Sequence, residues 1–397
     1  MKREKKTLRN SSVLLGVSGG VACYKSIELT RRLRDEGAKV NVVMTEASKK
    51  FVTPLSFEIA SQNKVYTDLF DEPMVHIALP ANADIMVVAP ATANTISKFA
   101  KGIADNLLTT CFLSFKGKVI LAPSMNWRMY KNPIFQENLN YLISRGVVQV
   151  GPEEGNLACD EEGVGRMAEV PEIIEAIRSA LCNKDLAGER ILVTAGPTRE
   201  YIDPVRFISN RSSGKMGYAI ARAALRRGAE VVLISGPSSL CQPKGLKKFI
   251  PVETTEEMIN AVYKELEYST VLIMSAAVSD FKPEKKSFKK IEKSGEMQLR
   301  LIQTPDILSE IGRRKNKPFI IGFSAETGNK IERAKKKLKE KNMDMIIFND
   351  ITEKGSGFEV DTNKVVIIDR RRETRLPLMS KDSVADEILN RFVELRT

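Results

Sequence analysis

Five short, predominantly apolar runs, at 13–17, 40–44, 85–89, 119–122 and 147–150, follow one another at the spacing of an intervening helix. A strand that is apolar at every position, rather than at alternate ones, has both faces covered, and parallel strands joined by crossover helices are the arrangement that covers both. The rhythm therefore predicts an α/β chain with a parallel sheet wound on both faces. The first link fits it: Ser18-Gly19-Gly20 supplies a turn, Ala22, Leu29 and Leu33 share one helical face, and Gly37 stands where a C-terminal cap belongs.

The rhythm breaks at Asn183-Lys184-Asp185-Leu186-Ala187-Gly188 and restarts at Arg190-Ile191-Leu192-Val193-Thr194-Ala195-Gly196. Two domains are expected, 1–185 and 188–397, which suits a chain of 397 residues. The second repeats the opening theme, with a helix predicted from Gly217, Ile220, Ala223 and Ala224 on one face of it, Gly228 closing it and a strand at 231–234. Between Gly196 and that helix lie about twenty residues, where such links usually run about two to six. The insertion holds Asp203-Pro204-Val205-Arg206 and Ser209-Asn210-Arg211-Ser212-Ser213-Gly214-Lys215 and is expected to be functional.

Taken singly, the remaining motifs are open. The Ser18-Gly19-Gly20 turn lacks full dinucleotide spacing and reads equally as a plain tight turn, but Thr92, Asn94 and Thr95 in Ala89-Pro90-Ala91-Thr92-Ala93-Asn94-Thr95 follow another strand end. Together the two turns suggest a phosphate held by backbone N–H groups at helix starts. His76 is the only histidine and Cys159 sits in a glycine-rich, charged loop; each reads as a candidate acid or base or as incidental. Ser213-Gly214-Lys215 is not a Walker site, because the first glycine is missing and Met216 replaces the hydroxyl residue. Lys282, Lys285, Lys286, Lys289, Lys290 and Lys293 form a cationic stretch that suits a triphosphate or a solvated loop. A helix predicted over 330–341 turns Ile331, Ala334 and Leu338 inward and leaves Lys337 and Lys341 one turn apart.

The formal charge of +12 fits nucleic acid or a small polyanion, and an aromatic content of 6% with no basic stretch interleaved by stacking residues favours the small polyanion. Five scattered cysteines suggest neither a disulfide framework nor a zinc site. The start of the chain reads as a basic tail and no apolar run approaches a membrane span, so a cytoplasmic protein with no membrane partner is expected.

Several segments together resemble one family over nearly the whole chain, the bifunctional phosphopantothenoylcysteine decarboxylases and phosphopantothenate:cysteine ligases of coenzyme A biosynthesis. In the first half the likeness rests on the run from Gly16 to Lys25, on His76, on Ala89 to Thr95, on Pro123-Ser124-Met125-Asn126-Trp127-Arg128-Met129-Tyr130, and on Ala158-Cys159 with Gly163 to Met167. In the second it rests on Thr194 to Thr198, Ile202 to Arg206, Ser209 to Gly217, Ser275 to Asp280, Lys290-Ile291 and Gly322-Phe323.

The resemblance implies a flavodoxin-like doubly wound domain that decarboxylates phosphopantothenoylcysteine with FMN, followed by a Rossmann-like α/β domain that ligates cysteine to 4'-phosphopantothenate through an acyl-cytidylate made from CTP. It implies that Ser18, Gly19, Gly20, Thr92, Asn94 and Thr95 hold FMN, that His76 is a base, that Asn126 holds the departing carboxylate and that Cys159 gives the final proton. It assigns Ala276, Asp280, Lys290, Thr304, Pro305, Asp306, Ile307, Phe323, Lys337 and Lys341 to CTP, with Mg2+ carried by the triphosphate. It assigns Asn210 and Arg206 to the acyl-nucleotide and Lys290 to acyl transfer. Trimeric flavin domains and paired ligase domains are implied as well. The chain departs from the family at Lys290-Ile291-Glu292-Lys293, where Lys-Ile-Lys-Lys is usual. Residue types alone do not separate CTP from ATP or UTP. A plain NAD-dependent oxidoreductase is the rival that the doubly wound pattern also allows.

Overall fold

Residues 8–156, 161–293, 295–328 and 330–396 are described by the structure, a computed structural model. Their contacts divide the chain between Cys182 and Asn183 into two units, each with its own sheet and cores. In the first unit, β1 (Ser12–Val17), β2 (Lys39–Met44), β3 (Val65–Tyr66), β4 (Ile85–Ala91), β5 (Lys118–Pro123) and β6 (Val148–Gln149) form one sheet in the order β3-β2-β1-β4-β5-β6. Every pairing is parallel. Apart from the two-residue edge strand β3, the order is that of flavodoxin-like sheets.

The apolar runs are explained by the two cores. Val13, Leu15 and Val17 enter one with Leu29 and Leu33, whereas Leu14 enters the other with Ile96 and Leu107. Because β1 pairs with β2 on one side and β4 on the other, the chain leaves these strands toward opposite faces, and a crevice opens at the carboxyl ends of β1 and β4. The run at 147–150 pairs over Val148–Gln149 alone, and the first helix spans Cys23–Asp35, so Ala22 precedes it. An antiparallel hairpin of β7 (Glu153–Asn156) and β8 (Glu162–Arg166) follows.

The second unit contains β9 (Arg190–Ala195), β10 (Arg199–Tyr201), β11 (Phe207–Ser209), β12 (Glu230–Ser235), β13 (Lys248–Pro251), β14 (Val271–Met274), β15 (Phe281–Pro283) and β16 (Leu301–Gln303). It continues with β17 (Phe319–Glu326), β18 (Met345–Asp350), β19 (Thr362–Asn363), β20 (Val365–Asp369), β21 (Glu373–Arg375) and β22 (Met379–Ser380). Its main sheet runs β13-β12-β9-β14-β17-β18-β20-β21. The strands from β13 to β18 are parallel and have the Rossmann order, and β20 and β21 extend them antiparallel.

The long insertion folds as the β10–β11 hairpin. The helix after it, Lys215–Arg226, starts two residues before the predicted Gly217, because Gly214 takes the left-handed conformation (φ 80) that turns the chain into it. A Cβ on Gly217 would lie 2.6 Å from both the Ala195 Cβ and the Ser275 Oγ, so glycine here lets the helix sit directly on the strand ends. The predicted basic helix spans Ile331–Glu340 and buries Ile331, Ala334 and Leu338. Among the described residues, no helix is long and apolar enough to cross a membrane.

Candidate active sites

A cavity of about 1160 Å³ lies at the carboxyl ends of the first sheet. Gly19 and Gly20 after β1, Thr92, Asn94 and Thr95 after β4, and Asn126 after β5 all line it. A Cβ on Gly20 would meet nothing nearer than the Thr92 Cγ2 at 3.6 Å, so that side of the turn is open, whereas a Cβ on Gly19 would lie 2.4 Å from the Ala47 Cβ. Thr92 caps the helix Ala93–Lys101 by accepting from the Thr95 N–H, and the start of that helix faces the cavity. A phosphate fits there, since free N–H groups and the helix dipole converge on it.

Ser18 does not line this cavity. Its buried hydroxyl donates to the Pro90 carbonyl at 2.7 Å and accepts from the Thr92 N–H at 2.9 Å, so it ties the two turns together. His76 is outside the lining too, on the helix Val75–Ala81, with its Nδ1 buried and without a hydrogen-bond partner among the described residues. Asn126 accepts from the Arg128 N–H, and its amide donates to Glu161 at 3.2 Å. Trp127 Nε1 and the Arg128 guanidinium also hold the Glu161 carboxylate, at 2.8 and 2.7 Å. Asn126 therefore already grips a carboxylate, and a substrate carboxylate there would exchange with Glu161. Cys159 lies outside the described residues.

The second cavity, of about 810 Å³, opens at the carboxyl ends of β14, β17 and β18. Ala276, Asp280, Thr304, Pro305, Asp306, Ile307, Phe323, Lys337 and Lys341 all line it, as does Asn210. The two lysines are held ready by carboxylates: Lys337 Nζ lies 2.8 Å from Glu326, and Lys341 Nζ 2.8 Å from Asp306. Burial pushes both carboxyls up, but these lysines, together with Ser324 and Arg333 at Glu326 and with Ser309 at Asp306, outweigh it and hold them below the usual carboxylate range. A polyphosphate would take over cations that are already in position.

Lys290 and Arg206 are not part of that lining. Lys290 is exposed, in the segment between β15 and β16. That segment is anchored to the insertion: Ser287 N–H donates to the Ile202 carbonyl, Ile291 N–H to the buried Asp203 carboxylate, and the Arg206 guanidinium to the Ile291 carbonyl at 2.8 Å. Arg206 thus touches the lysine segment rather than the cavity. Its position in sequence did not reveal this, because the contact joins residues 85 apart.

Other lining residues went unpredicted. Thr45, Glu46 and Ala47 follow β2, and Ser124 and Met125 follow β5, so the rule that ligands bind beyond the carboxyl ends of strands would have found them. The same rule would have found Asn349 at the end of β18, whereas Ser356, Asn363 and Lys381 had no such signal. Among the described residues, no group of three or more His, Cys, Asp or Glu side chains is arranged to hold a metal ion.

Fold and cavities together define the class: a two-site α/β enzyme with a flavodoxin-like and a Rossmann-like unit, each carrying its site beyond the carboxyl ends of parallel strands. Family models match both, "Flavoprotein" over residues 1–182 and "DNA/pantothenate metabolism flavoprotein C-terminal domain" over residues 186–395. The Coenzyme A biosynthesis bifunctional protein CoaBC of Bacillus subtilis (strain 168) is 46% identical over 397 residues, covering 98% of this chain and 98% of that protein. Its counterpart in Escherichia coli (strain K12) is 41% identical over 402 residues, covering 98% and 99%. A crystal structure of the C-terminal domain of Coenzyme A biosynthesis bifunctional protein CoaBC is 42% identical and covers 54% of this chain and 98% of that one, with a TM-score of 0.47. The chain belongs to the family of coenzyme A biosynthesis bifunctional proteins. It is an enzyme with two activities in coenzyme A biosynthesis, a ligase step and a decarboxylase step.

Proposed function

We propose that the second unit joins cysteine to 4'-phosphopantothenate with CTP, and that the first decarboxylates the product to 4'-phosphopantetheine with bound FMN. What supports this reading most is convergence: residues as far apart in sequence as Asn210, Ala276, Phe323 and Lys341 meet in one cavity. In the ligase step a carboxylate oxygen of phosphopantothenate attacks the α-phosphorus of CTP and pyrophosphate leaves. The cysteine amine then attacks the acyl carbon, loses a proton and expels CMP. Charge accumulates on the phosphates, so Lys337 and Lys341 are assigned to the triphosphate, with Mg2+ bound to it. Lys290 is assigned to acyl transfer although it stands outside the cavity lining on its anchored segment, and Arg206 is assigned to tethering that segment.

FMN, when bound, would supply a two-electron oxidation of the substrate's cysteine thiol, which creates the C=S electron sink that loss of the carboxylate requires, and would return the electrons afterwards. The chain's own part is to hold its phosphate at Thr92, Asn94 and Thr95, to bind the substrate carboxylate at Asn126, to supply a base at His76 and to return a proton from Cys159. Supplying phosphopantothenate, cysteine and each nucleoside triphosphate in turn, in the cytoplasmic pH range, tests the whole reading. Phosphopantetheine and CO2 are expected with CTP, and their absence with every triphosphate would refute it. A Cys159→Ser enzyme is expected to release CO2 without a matching yield of phosphopantetheine; matched yields would remove the proton-donor role.

The assembly we propose is homo-oligomeric, with trimeric flavin units and paired ligase units. Phe70 is 91% exposed and Met74 63%, both shortly before His76 in sequence, and exposed apolar side chains here suit a second copy that would bring His76 to a cavity. Sedimentation of the intact chain as a monomer would oppose it.

The two activities are proposed to be separable, and the junction bears on how. Leu186 is fully buried in the second unit's core, and Asp185 pairs with Arg227 at 2.6 Å. A fragment 183–397 keeps both, whereas 188–397 loses them. The longer fragment is expected to be more stable by about 2 kcal/mol, or about 4–8 °C in Tm. Equal melting temperatures would show that these residues contribute nothing.

A further inference from the structure

The side chain of Lys381 is buried, yet it is the first residue of the helix Lys381–Arg396 and lines the second cavity. Its ammonium gives its three N–H bonds to one loop: the carbonyls of Gly357 and Phe358, each at 3.0 Å, and of Val360 at 2.5 Å. That loop, between β18 and β19, forms a wall of the cavity through Ser356 to Val360. From its other side Ser213 Oγ donates to the Phe358 carbonyl at 2.5 Å, and Lys215 Nζ to the Glu359 carbonyl at 2.7 Å. Ser213 and Lys215 belong to the turn that leads from Asn210 into the helix Lys215–Arg226. Two separate elements are therefore fastened to the same few peptide groups.

We infer that Lys381 is a positioning residue for the carboxylate substrate of the ligase: its ammonium fixes the 356–361 wall and, through it, the Ser213–Lys215 turn beside Asn210. The inference rests on the ligase reading proposed above. Each carbonyl that accepts from Lys381 belongs to a trans peptide, so the N–H on the far side of each plane, of Phe358, Glu359 and Asp361, is turned away from the ammonium. Without the cation, three partly buried carbonyl oxygens would face one another, and the peptides would rotate to find other donors. The ammonium is a point charge with three donors, which is what three convergent carbonyls require. Apart from Lys290, the proposed nucleotide residues lie on other elements, around β14, β17, residues 304–307 and the helix Ile331–Glu340, and among the described residues none of them hydrogen-bonds to this loop.

The groups that face Lys381 are Lys215, from the neighbouring helix, and Asp361, from the loop. Burial and the positive charge of Lys215 press its pKa down to about 8, against the pull of Asp361. The clasp should therefore loosen as pH rises through that value.

The test compares wild type, Lys381→Met and Lys381→Arg in the full chain, measuring CTP binding by calorimetry and pyrophosphate release against phosphopantothenate concentration. For Lys381→Met, CTP binding within about twofold of wild type and a KM for phosphopantothenate raised about tenfold or more are expected, the size of losing a charged hydrogen-bond cluster. Lys381→Arg should recover much of that loss and should not show the wild-type rise in KM above pH 8, since guanidinium does not titrate there. If Lys381→Met does not fold, the pH profile of Lys381→Arg carries the test: a profile like that of wild type overturns the inference. An unchanged KM in Lys381→Met, or losses of CTP and phosphopantothenate binding in equal proportion, also overturns it. A wild-type enzyme that releases no pyrophosphate from CTP with phosphopantothenate overturns the ligase reading instead, and the inference with it.

Discussion

Asn210→Asp is expected to slow cysteine addition by about 10²–10³-fold, the scale of losing a preorganised donor in an active site. The Asn210 amide donates to the carbonyls of Ala277 (3.0 Å) and Val278 (3.2 Å), in the turn that also carries Ala276 and Asp280. Aspartate has nearly the same shape but no donor, so its carboxylate would face two carbonyl oxygens and push that turn away, besides repelling a phosphorylated intermediate. Nucleotide binding should consequently weaken as well, by about tenfold, less than the loss in acyl transfer. Asn210→Ala removes the donors without adding the repulsion and should fall between the two. Rapid-quench measurement of acyl-cytidylate formation and decay separates the half-reactions. An Asp variant with wild-type decay of the intermediate would remove Asn210 from the second half-reaction.

Arg391→Ala is expected to destabilise the second unit by about 3–5 kcal/mol, because it strands a buried carboxylate. Arg391 Nε and Nη2 form a two-point pair with Asp369 at 2.8 and 3.0 Å, with side-chain exposures of 7% and 1%. The Arg371 and Arg372 N–H groups complete the coordination of Asp369. Burial pushes the Asp369 carboxyl up, but Arg391 and these N–H groups outweigh it and hold it below its ordinary value. A depressed folded-state pKa means stability that is complete above the unfolded value of about 4 and lost as pH falls toward the folded one. The wild type should therefore weaken on that acid limb, and Arg391→Ala should have lost the contribution already at neutral pH. For a unit of this size the melting temperature should drop on the order of 10 °C. Neither residue lines the cavity, so at a temperature where the variant is folded CTP should still bind. A drop of only a degree or two would show that the pair is no more than a replaceable ion pair.

The order of apolar runs and turns along the chain was enough to read two α/β units with parallel, two-sided sheets, because both signals are local. A run such as that of β1 is apolar at every position since Val13 and Leu14 enter different cores, and no distant contact is needed to see it. Residues directly beyond strand ends, such as Gly20, Thr92 and Asn126, were legible for the same reason: the strand itself aims them at the crevice. The family motifs extended this to Asp306, Lys337 and Lys341, whose cavity could not be drawn from spacing.

Only the tertiary structure decided the rest, since it depends on which distant groups meet. Ser18 reads as a cofactor residue by its neighbours in sequence but is consumed by Pro90 and Thr92, more than seventy residues away. Arg206 and Lys290 stand outside the cavity lining, on two segments that are fastened together where Asp203 and Arg206 bind Ile291. The antiparallel β20 and β21 continue a parallel sheet, which neither the short apolar run of β20 nor the polar Glu373–Arg375 of β21 announces. Lys381 looks in sequence like one more surface lysine at a helix start. Its burial against three carbonyls is the outcome of packing the last helix onto a loop twenty residues earlier, and a cation is tolerated there because those oxygens replace its water.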